Sequence, residues 1–270
     1  MKRLNGAELA GYIKARQAKE VRRLKALRVH PVLAIISEGQ QPVNELYLRL
    51  KQNYGRDIGV AVKTIDTGDT VDTKRAVLAL NEDDSVQAVI VQLPLSNPDM
   101  TRETVNLIDP AKDVDGLGAE AAYDSATAMA IMWLLAGYNV DLPGKSVAVV
   151  GQGRLVGRPL VKMLVSAGVE PLILDQDTPD LAAKLQSAEI IITATGHPGL
   201  ITNQMARPGT VIVDAGSASE DGQVKGDAAN ELYEREDIII TPQKGGVGPL
   251  TVAALFDNTL RAVRAKVGPS

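Results

Sequence analysis

The segment that most restricts this chain is Val147-Ala148-Val149-Val150, which runs straight into Gly151-Gln152-Gly153-Arg154-Leu155-Val156-Gly157, with helical spacing over residues 159–167 behind it. A short continuous apolar run reads as a strand buried on both faces, the environment of a parallel sheet. A glycine turn between such a strand and a helix lets backbone approach a pyrophosphate, whose charge the helix N-terminal N–H groups then meet. The spacing G-x-G-x-x-x-G is a variant of the usual dinucleotide fingerprint, and its weight comes from this strand-turn-helix context. Gly151, Gln152, Gly153, Arg154, Val156 and Gly157 are the candidate cofactor contacts, joined by Thr195 and Gly196 after a later strand. Asp175 ends the apolar run 172–174 and admits two readings. As a ribose-hydroxyl acceptor it repels a 2′-phosphate and favours NAD over NADP, as does the lack of a cation at Gln176 and Asp177. As a turn residue it is simply solvated.

Apolar runs at 190–193, 211–213 and 238–240 add strands spaced for crossover connections. The first half alternates in the same way: helix at 7–27, strand at 32–36, helix at 44–54, strand at 60–65, helix at 71–81, strand at 88–93. Asn97-Pro98 and Asp109-Pro110 punctuate a loop-rich stretch ending at Asp115-Gly116, before a helix at 127–135. The expected fold class is α/β in two domains. Residues 1–120 form an α/β catalytic domain completed by a C-terminal helix over 250–270, and residues 121–249 form a Rossmann-type domain with a mostly parallel sheet.

Composition narrows the partners. At 270 residues and 45% hydrophobic content the chain can bury two cores. With 29 Lys+Arg against 33 Asp+Glu it has no electrostatic footprint for nucleic acid. No apolar run approaches the roughly 20 residues that cross a bilayer, and the polar start lacks a signal-peptide core, so a cytoplasmic enzyme is expected. With no cysteine, and only His30 and His197, no metal site is expected. His197 reads as a turn residue. Chemistry must then come from Lys, Tyr, Asp, Glu, Gln and a bound cofactor.

Tyr47 and Lys51 sit one helical turn apart and share a face. Gln92 closes an otherwise apolar strand, at the carboxyl end where α/β folds bind ligands. Lysine does proton transfer at neutral pH only if burial or dipoles lower its pKa. Tyr47-Leu48-Arg49-Leu50-Lys51, Val91-Gln92-Leu93-Pro94-Leu95, Lys112-Asp113-Val114-Asp115-Gly116, Gly196-His197-Pro198-Gly199 and Gly245-Gly246-Val247-Gly248-Pro249-Leu250-Thr251 occur in this order. Together they make the sequence similar, over essentially its whole length, to the bifunctional methylenetetrahydrofolate dehydrogenase/cyclohydrolase family.

The resemblance implies oxidation of 5,10-methylenetetrahydrofolate with NAD(P)+ and hydrolysis of the methenyl product to 10-formyltetrahydrofolate, by a homodimer formed through the nucleotide domain. It assigns proton transfer to Lys51, tuning of that lysine to Gln92, ring contact to Tyr47 and pterin hydrogen bonding to Asp115. It adds Leu93, Pro94, Gly246, Gly248, Pro249 and Thr251 as substrate contacts. The sequence departs from the family pattern at Ser125-Ala126-Thr127-Ala128-Met129-Ala130, where two prolines and a glycine are missing. It departs again at Lys244, a cation in place of a proline, which suits either a substrate carboxylate or solvent.

Overall fold

The computed structural model describes residues 2–39, 42–220 and 223–267. In chain order it runs β1 (Lys2–Arg3), α1 (Gly6–Ala26), β2 (Val32–Glu38), α2 (Pro42–Ile58), β3 (Ala61–Thr67), α3 (Thr70–Glu82), β4 (Ala88–Val91), α4 (Thr101–Asn106) and α5 (Ala126–Gly137). It continues β5 (Val147–Val150), α6 (Gly157–Ser166), β6 (Leu172–Leu174), α7 (Leu181–Gln186), β7 (Ile190–Thr193), β8 (Val211–Asp214), β9 (Ala218–Glu220), β10 (Gln223–Lys225), β11 (Ile239–Ile240) and α8 (Val247–Val267). Two compact units result: Gly11–Ala126 with Val252–Ser270, and Met1–Ala10 with Thr127–Thr251.

The first unit is built on a parallel sheet in the order β3-β2-β4. Every residue of central β2 is buried, whereas edge strand β3 alternates toward solvent, which is where Lys63 and Asp66 fit. On one face Val32, Ala34, Ile36, Val89 and Val91 pack with Val77 and Leu80 of α3 and with Ile108. The aliphatic side chains interdigitate there as they do in close-packed interiors. Asp69 caps α3 by accepting from the Asp72 N–H at 2.9 Å, a contact typically worth about 1 kcal/mol. Elsewhere in the unit Tyr54 stacks on Phe256 with ring centroids 5.0 Å apart, and its hydroxyl donates to buried Gln17 at 2.8 Å.

The second unit holds a six-stranded parallel sheet in the order β1-β11-β8-β7-β5-β6. The central strands β5 and β7 are buried throughout. Ala148, Val150, Ile191 and Ile212 share a core with Leu185 and Leu232. A separate antiparallel hairpin, β9–β10, follows β8.

Some elements differ from the sequence reading. The amino-terminal residues do not join the 1–120 segment as expected. Lys2–Arg3 pairs with β11, the Leu4 N–H donates to the Ile240 carbonyl at 3.1 Å, and the Leu4 side chain is fully buried. Two strand residues are too few to show any periodicity. β4 ends at Val91 rather than at residue 93, so Gln92 lies just past the strand, before the cis Leu93–Pro94 peptide. Pro94 has no N–H to continue a ladder. α8 begins at Val247, earlier than residue 250, because Pro249 lies in a first turn whose N–H groups need no intrahelical partner. The altered stretch 125–130 is helical from Ala126, and Ala128, Ala130, Ile131, Leu134 and Leu135 are fully buried, as an all-round apolar helix requires.

Candidate functional site

In the first unit the geometry converges on Lys51. Tyr47 and Lys51 both lie half-buried on α2, one turn apart. The Lys51 ammonium donates to Gln92 Oε1 at 2.7 Å. Gln92 is itself fixed, its amide donating to the Leu93 carbonyl at 3.1 Å and its backbone N–H to the Ile36 carbonyl at 2.8 Å. Desolvation holds the Lys51 pKa below the ordinary lysine value, and the nearby Asp115 carboxylate opposes that shift. Desolvation likewise raises Asp115, and Lys51 opposes that. Each group therefore resists charging except in the other's company. The amide acceptor orients the amine without adding a second charge. Lys51 and Gln92 are thus in direct contact and Asp115 acts on Lys51 electrostatically, with Leu93 and Pro94 next to Gln92 in the chain.

The loop presenting Asp115 is set by residues the sequence reading passed over. Asp113, 1% exposed, accepts from the N–H groups of Gly116 at 3.1 Å and Gly118 at 2.7 Å. Burial pushes its carboxyl up to about 6 against the pull of those donors. Gly116 has φ +67°, and a Cβ there would come within 2.6 Å of the Asp124 carbonyl carbon, so the turn needs glycine. Asn258 donates to the carbonyls of Val114 and Asp124, both at 2.9 Å. Lys112 faces away from ligand chemistry. Its buried ammonium donates to the carbonyls of Leu80, Asn81 and Asp83 at 2.8, 2.8 and 2.9 Å, closing the C-terminus of α3. Only spacing within the acidic turn hinted at Asp113, and nothing in the sequence marked Asn258. A cleft of about 160 Å³ lies beside this loop, lined by Asn106, Ile108, Pro110, Asp113 and Glu120 among others, and Lys51 and Gln92 are not part of it.

In the second unit the glycine turn has the form its spacing called for. Gly151, at φ +100°, could carry no Cβ, which would sit 2.6 Å from the Ala194 carbonyl oxygen. At Gly157 a Cβ would lie 2.0 Å from the Gly151 carbonyl oxygen, so that glycine is required for the return of the helix onto the turn. At Gly153, by contrast, a Cβ would meet nothing within 4 Å. Val156, the N-cap of α6, offers no side-chain acceptor to the first helical N–H groups. Open space at Gly153 and an uncapped helix start fit a pyrophosphate. Gln152 and Arg154 flank this space half-buried, with the Gln152 amide donating back to the Gly151 carbonyl at 3.1 Å.

Asp175 is exposed, and its Oδ1 accepts from the Asp177 N–H at 3.1 Å and the Thr178 hydroxyl at 2.8 Å. That is the turn contact of one reading, made with one oxygen. Thr195 and Gly196 follow β7, Gly196 at φ +71°. Among the described residues His197 bonds within its own turn, its N–H donating to Thr195 Oγ1 at 3.1 Å and its Nδ1 lying 3.1 Å from the Thr195 carbonyl oxygen.

Gly246, Gly248, Pro249 and Thr251 also belong to the second unit. The Ala7 N–H donates to the Gly245 carbonyl at 2.9 Å, and Thr251 donates to the Val247 carbonyl at 3.3 Å, so α8 starts from a braced turn. A Cβ on Gly248 would meet nothing within 4 Å. Lys244 is exposed. Among the described residues no helix is long and apolar enough to cross a membrane, and no group of three or more His, Cys, Asp or Glu residues is placed to hold a metal.

Comparison with known proteins matches residues 4–115 to "Tetrahydrofolate dehydrogenase/cyclohydrolase, catalytic domain" and residues 125–267 to "Tetrahydrofolate dehydrogenase/cyclohydrolase, NAD(P)-binding domain". The chain is 35% identical over 275 residues to the bifunctional protein FolD of Macrococcus caseolyticus, covering 97% of each. Its structure is similar to that of the bifunctional FolD methylenetetrahydrofolate dehydrogenase/cyclohydrolase of Campylobacter jejuni, with TM-score 0.92 and 30% identity over 98% of this chain and 99% of that one. It is also similar to the Trypanosoma brucei methylenetetrahydrofolate dehydrogenase-cyclohydrolase complexed with NADP and an inhibitor, with TM-score 0.91 and 27% identity over 98% of each chain. On full-length similarity in both sequence and fold, the chain belongs to the tetrahydrofolate dehydrogenase/cyclohydrolase family.

Proposed function

We propose that this enzyme oxidises 5,10-methylenetetrahydrofolate to the 5,10-methenyl form with NAD(P)+ and hydrolyses that product to 10-formyltetrahydrofolate. The observation that carries the reading is the 2.7 Å hydrogen bond from desolvated Lys51 to Gln92. The glycine turn from Gly151 to Gly157 would hold the pyrophosphate of the dinucleotide, whose nicotinamide would supply a hydride acceptor for the first step. In the second step water adds to the methenyl carbon, and the neutral Lys51 amine takes the proton it gives up. Lys51 then returns that proton to the folate N5 as the C–N5 bond breaks, and the added hydroxyl releases its proton to leave the formyl group. Gln92 keeps the amine aimed while its charge changes, Asp115 accepts from the pterin N–H donors, and Tyr47 packs against the ring.

NAD is the favoured cofactor. Asp175 and Asp177 after β6 repel a 2′-phosphate, and neither Gln176 nor Thr178 is a cation. The enzyme works in the cytoplasm as a homodimer joined through the nucleotide-binding unit, where edge strand β6 leaves Leu172 43% and Ile173 50% exposed. Its 10-formyl product suits one-carbon donation to purine synthesis. The test supplies purified protein with 5,10-methylenetetrahydrofolate and either NAD+ or NADP+, following reduced nicotinamide and methenyl separately. Reduction with little methenyl accumulation is expected, faster with NAD+. No reduction of either cofactor would end this reading.

A further inference from the structure

A buried carboxylate outside the Lys51 site has an unusual set of partners. Asp227 is fully buried, and its Oδ2 accepts from the Thr193 hydroxyl and from the Thr195 N–H, both at 2.7 Å. Among the described residues its Oδ1 has no hydrogen-bond partner, and it is pressed against Gly216, where a Cβ would lie 2.2 Å from that oxygen. Its backbone is fixed too. The Asp227 N–H donates to Asp214 Oδ1 at 3.0 Å, and the Asp227 carbonyl accepts from the Ile201 N–H at 3.0 Å. Asp214 in turn accepts from the N–H groups of Gly216 and Ala228, both at 2.9 Å, and from the Tyr233 hydroxyl at 3.3 Å.

A half-satisfied buried carboxylate is costly, and replacing it with a neutral side chain would remove that cost. What the charge does is bind the stretch leaving β7. That stretch forms one side of the glycine turn. The Ala194 N–H donates to the Val150 carbonyl at 2.9 Å, and the Ala194 carbonyl oxygen occupies the space a Cβ on Gly151 would need. We infer that Asp227 is a positioning residue for the dinucleotide. Through Thr193 and the Thr195 N–H it holds the Ala194–Gly196 wall in register with the Gly151 turn. The inference rests on the cofactor reading above and extends it to a residue that touches no ligand. A carboxylate suits the task because charge-assisted hydrogen bonds are roughly twice as strong as neutral ones.

The experiment compares the full-length protein with Asp227→Asn and Thr193→Val, measuring NAD+ binding by calorimetry and steady-state kinetics with each substrate varied in turn. Asp227→Asn keeps the shape and removes the charge. It is expected to weaken NAD+ binding and raise its KM about 10-fold, the equivalent of roughly 1.4 kcal/mol. The folate KM and kcat at saturating NAD+ should stay within about twofold, and Thr193→Val should shift the NAD+ KM about threefold in the same direction. An unchanged NAD+ KM overturns the inference. So does a parallel shift of both KM values and kcat together with a lowered Tm, the pattern of a purely structural role. If Asp227→Asn does not fold, the same split read on Thr193→Val decides. If the unaltered protein binds neither NAD+ nor NADP+, the cofactor reading itself falls and takes this one with it.

Discussion

An amine that burial discourages from holding its proton, with an amide oxygen 2.7 Å away, is a different reagent from a solvated lysine. For Lys51 the folded pKa lies below the unfolded one, so the neutral form is favoured on folding. Hydrolysis of the methenyl form should therefore rise with pH through an apparent pKa below that of an ordinary lysine. Lys51→Arg keeps a cation that does not deprotonate. It should slow hydrolysis by roughly 10²–10⁴-fold, erase the pH dependence and let methenyl accumulate. Stopped-flow absorbance of the methenyl form measures both effects, and a Lys51→Arg variant with a normal pH profile would exclude the amine. Gln92 was legible as a polar residue closing an apolar strand, whereas Lys51 sits on a polar helix and was tied to Gln92 only by the family resemblance. Asp113 was not legible, because an aspartate in a turn looks the same whether it caps its own loop or binds a ligand.

At the scale of elements the glycines separate two demands that a sequence pattern merges. Gly157 is required by backbone packing, and Gly153 leaves room. Gly157→Ala should lower stability by about 1–3 kcal/mol, since neither backbone strand of the turn can give way. Gly153→Ala should leave Tm within a degree or two yet weaken dinucleotide binding by roughly 10-fold, because its methyl group enters the space where backbone approaches the pyrophosphate. Thermal unfolding with and without NAD+ distinguishes the two variants, and equal melting losses would refute the distinction. The long helices were readable because a 3.6-residue period persists over enough positions to register, and the buried strands because their apolar runs are unbroken. β1, α4 and α7, with two, six and six residues, fell below that limit, and the β9–β10 hairpin was missed although the sequence between its strands, Asp221-Gly222, is a hairpin turn signal.

For the molecule as a whole, pH acts on stability through Asp113. Burial pushes its carboxyl up to about 6, above the ordinary aspartate range, so between those values the folded protein holds a proton that the unfolded chain has released. The contribution is complete at acid pH and is lost as pH rises through about 6, on the order of 3 kcal/mol. Relative to Asp113→Asn, the urea-unfolding free energy of the unaltered protein should therefore fall by roughly 2 kcal/mol between pH 4 and pH 7, and parallel curves would refute it. The two α/β units themselves were legible from alternation alone, while the amino-terminal strand was not, since only its partner β11 identifies it. Of the five-residue Lys112–Gly116 signature, Lys112 caps α3, Asp113 braces the turn, Gly116 allows its bend, and Asp115 alone faces Lys51 electrostatically. A damaging substitution at Lys112 would thus act as a loosened hinge pin acts on a door. Loss of activity there would report how a remote brace is kept, and would be a poor measure of how near a residue stands to the reacting bond.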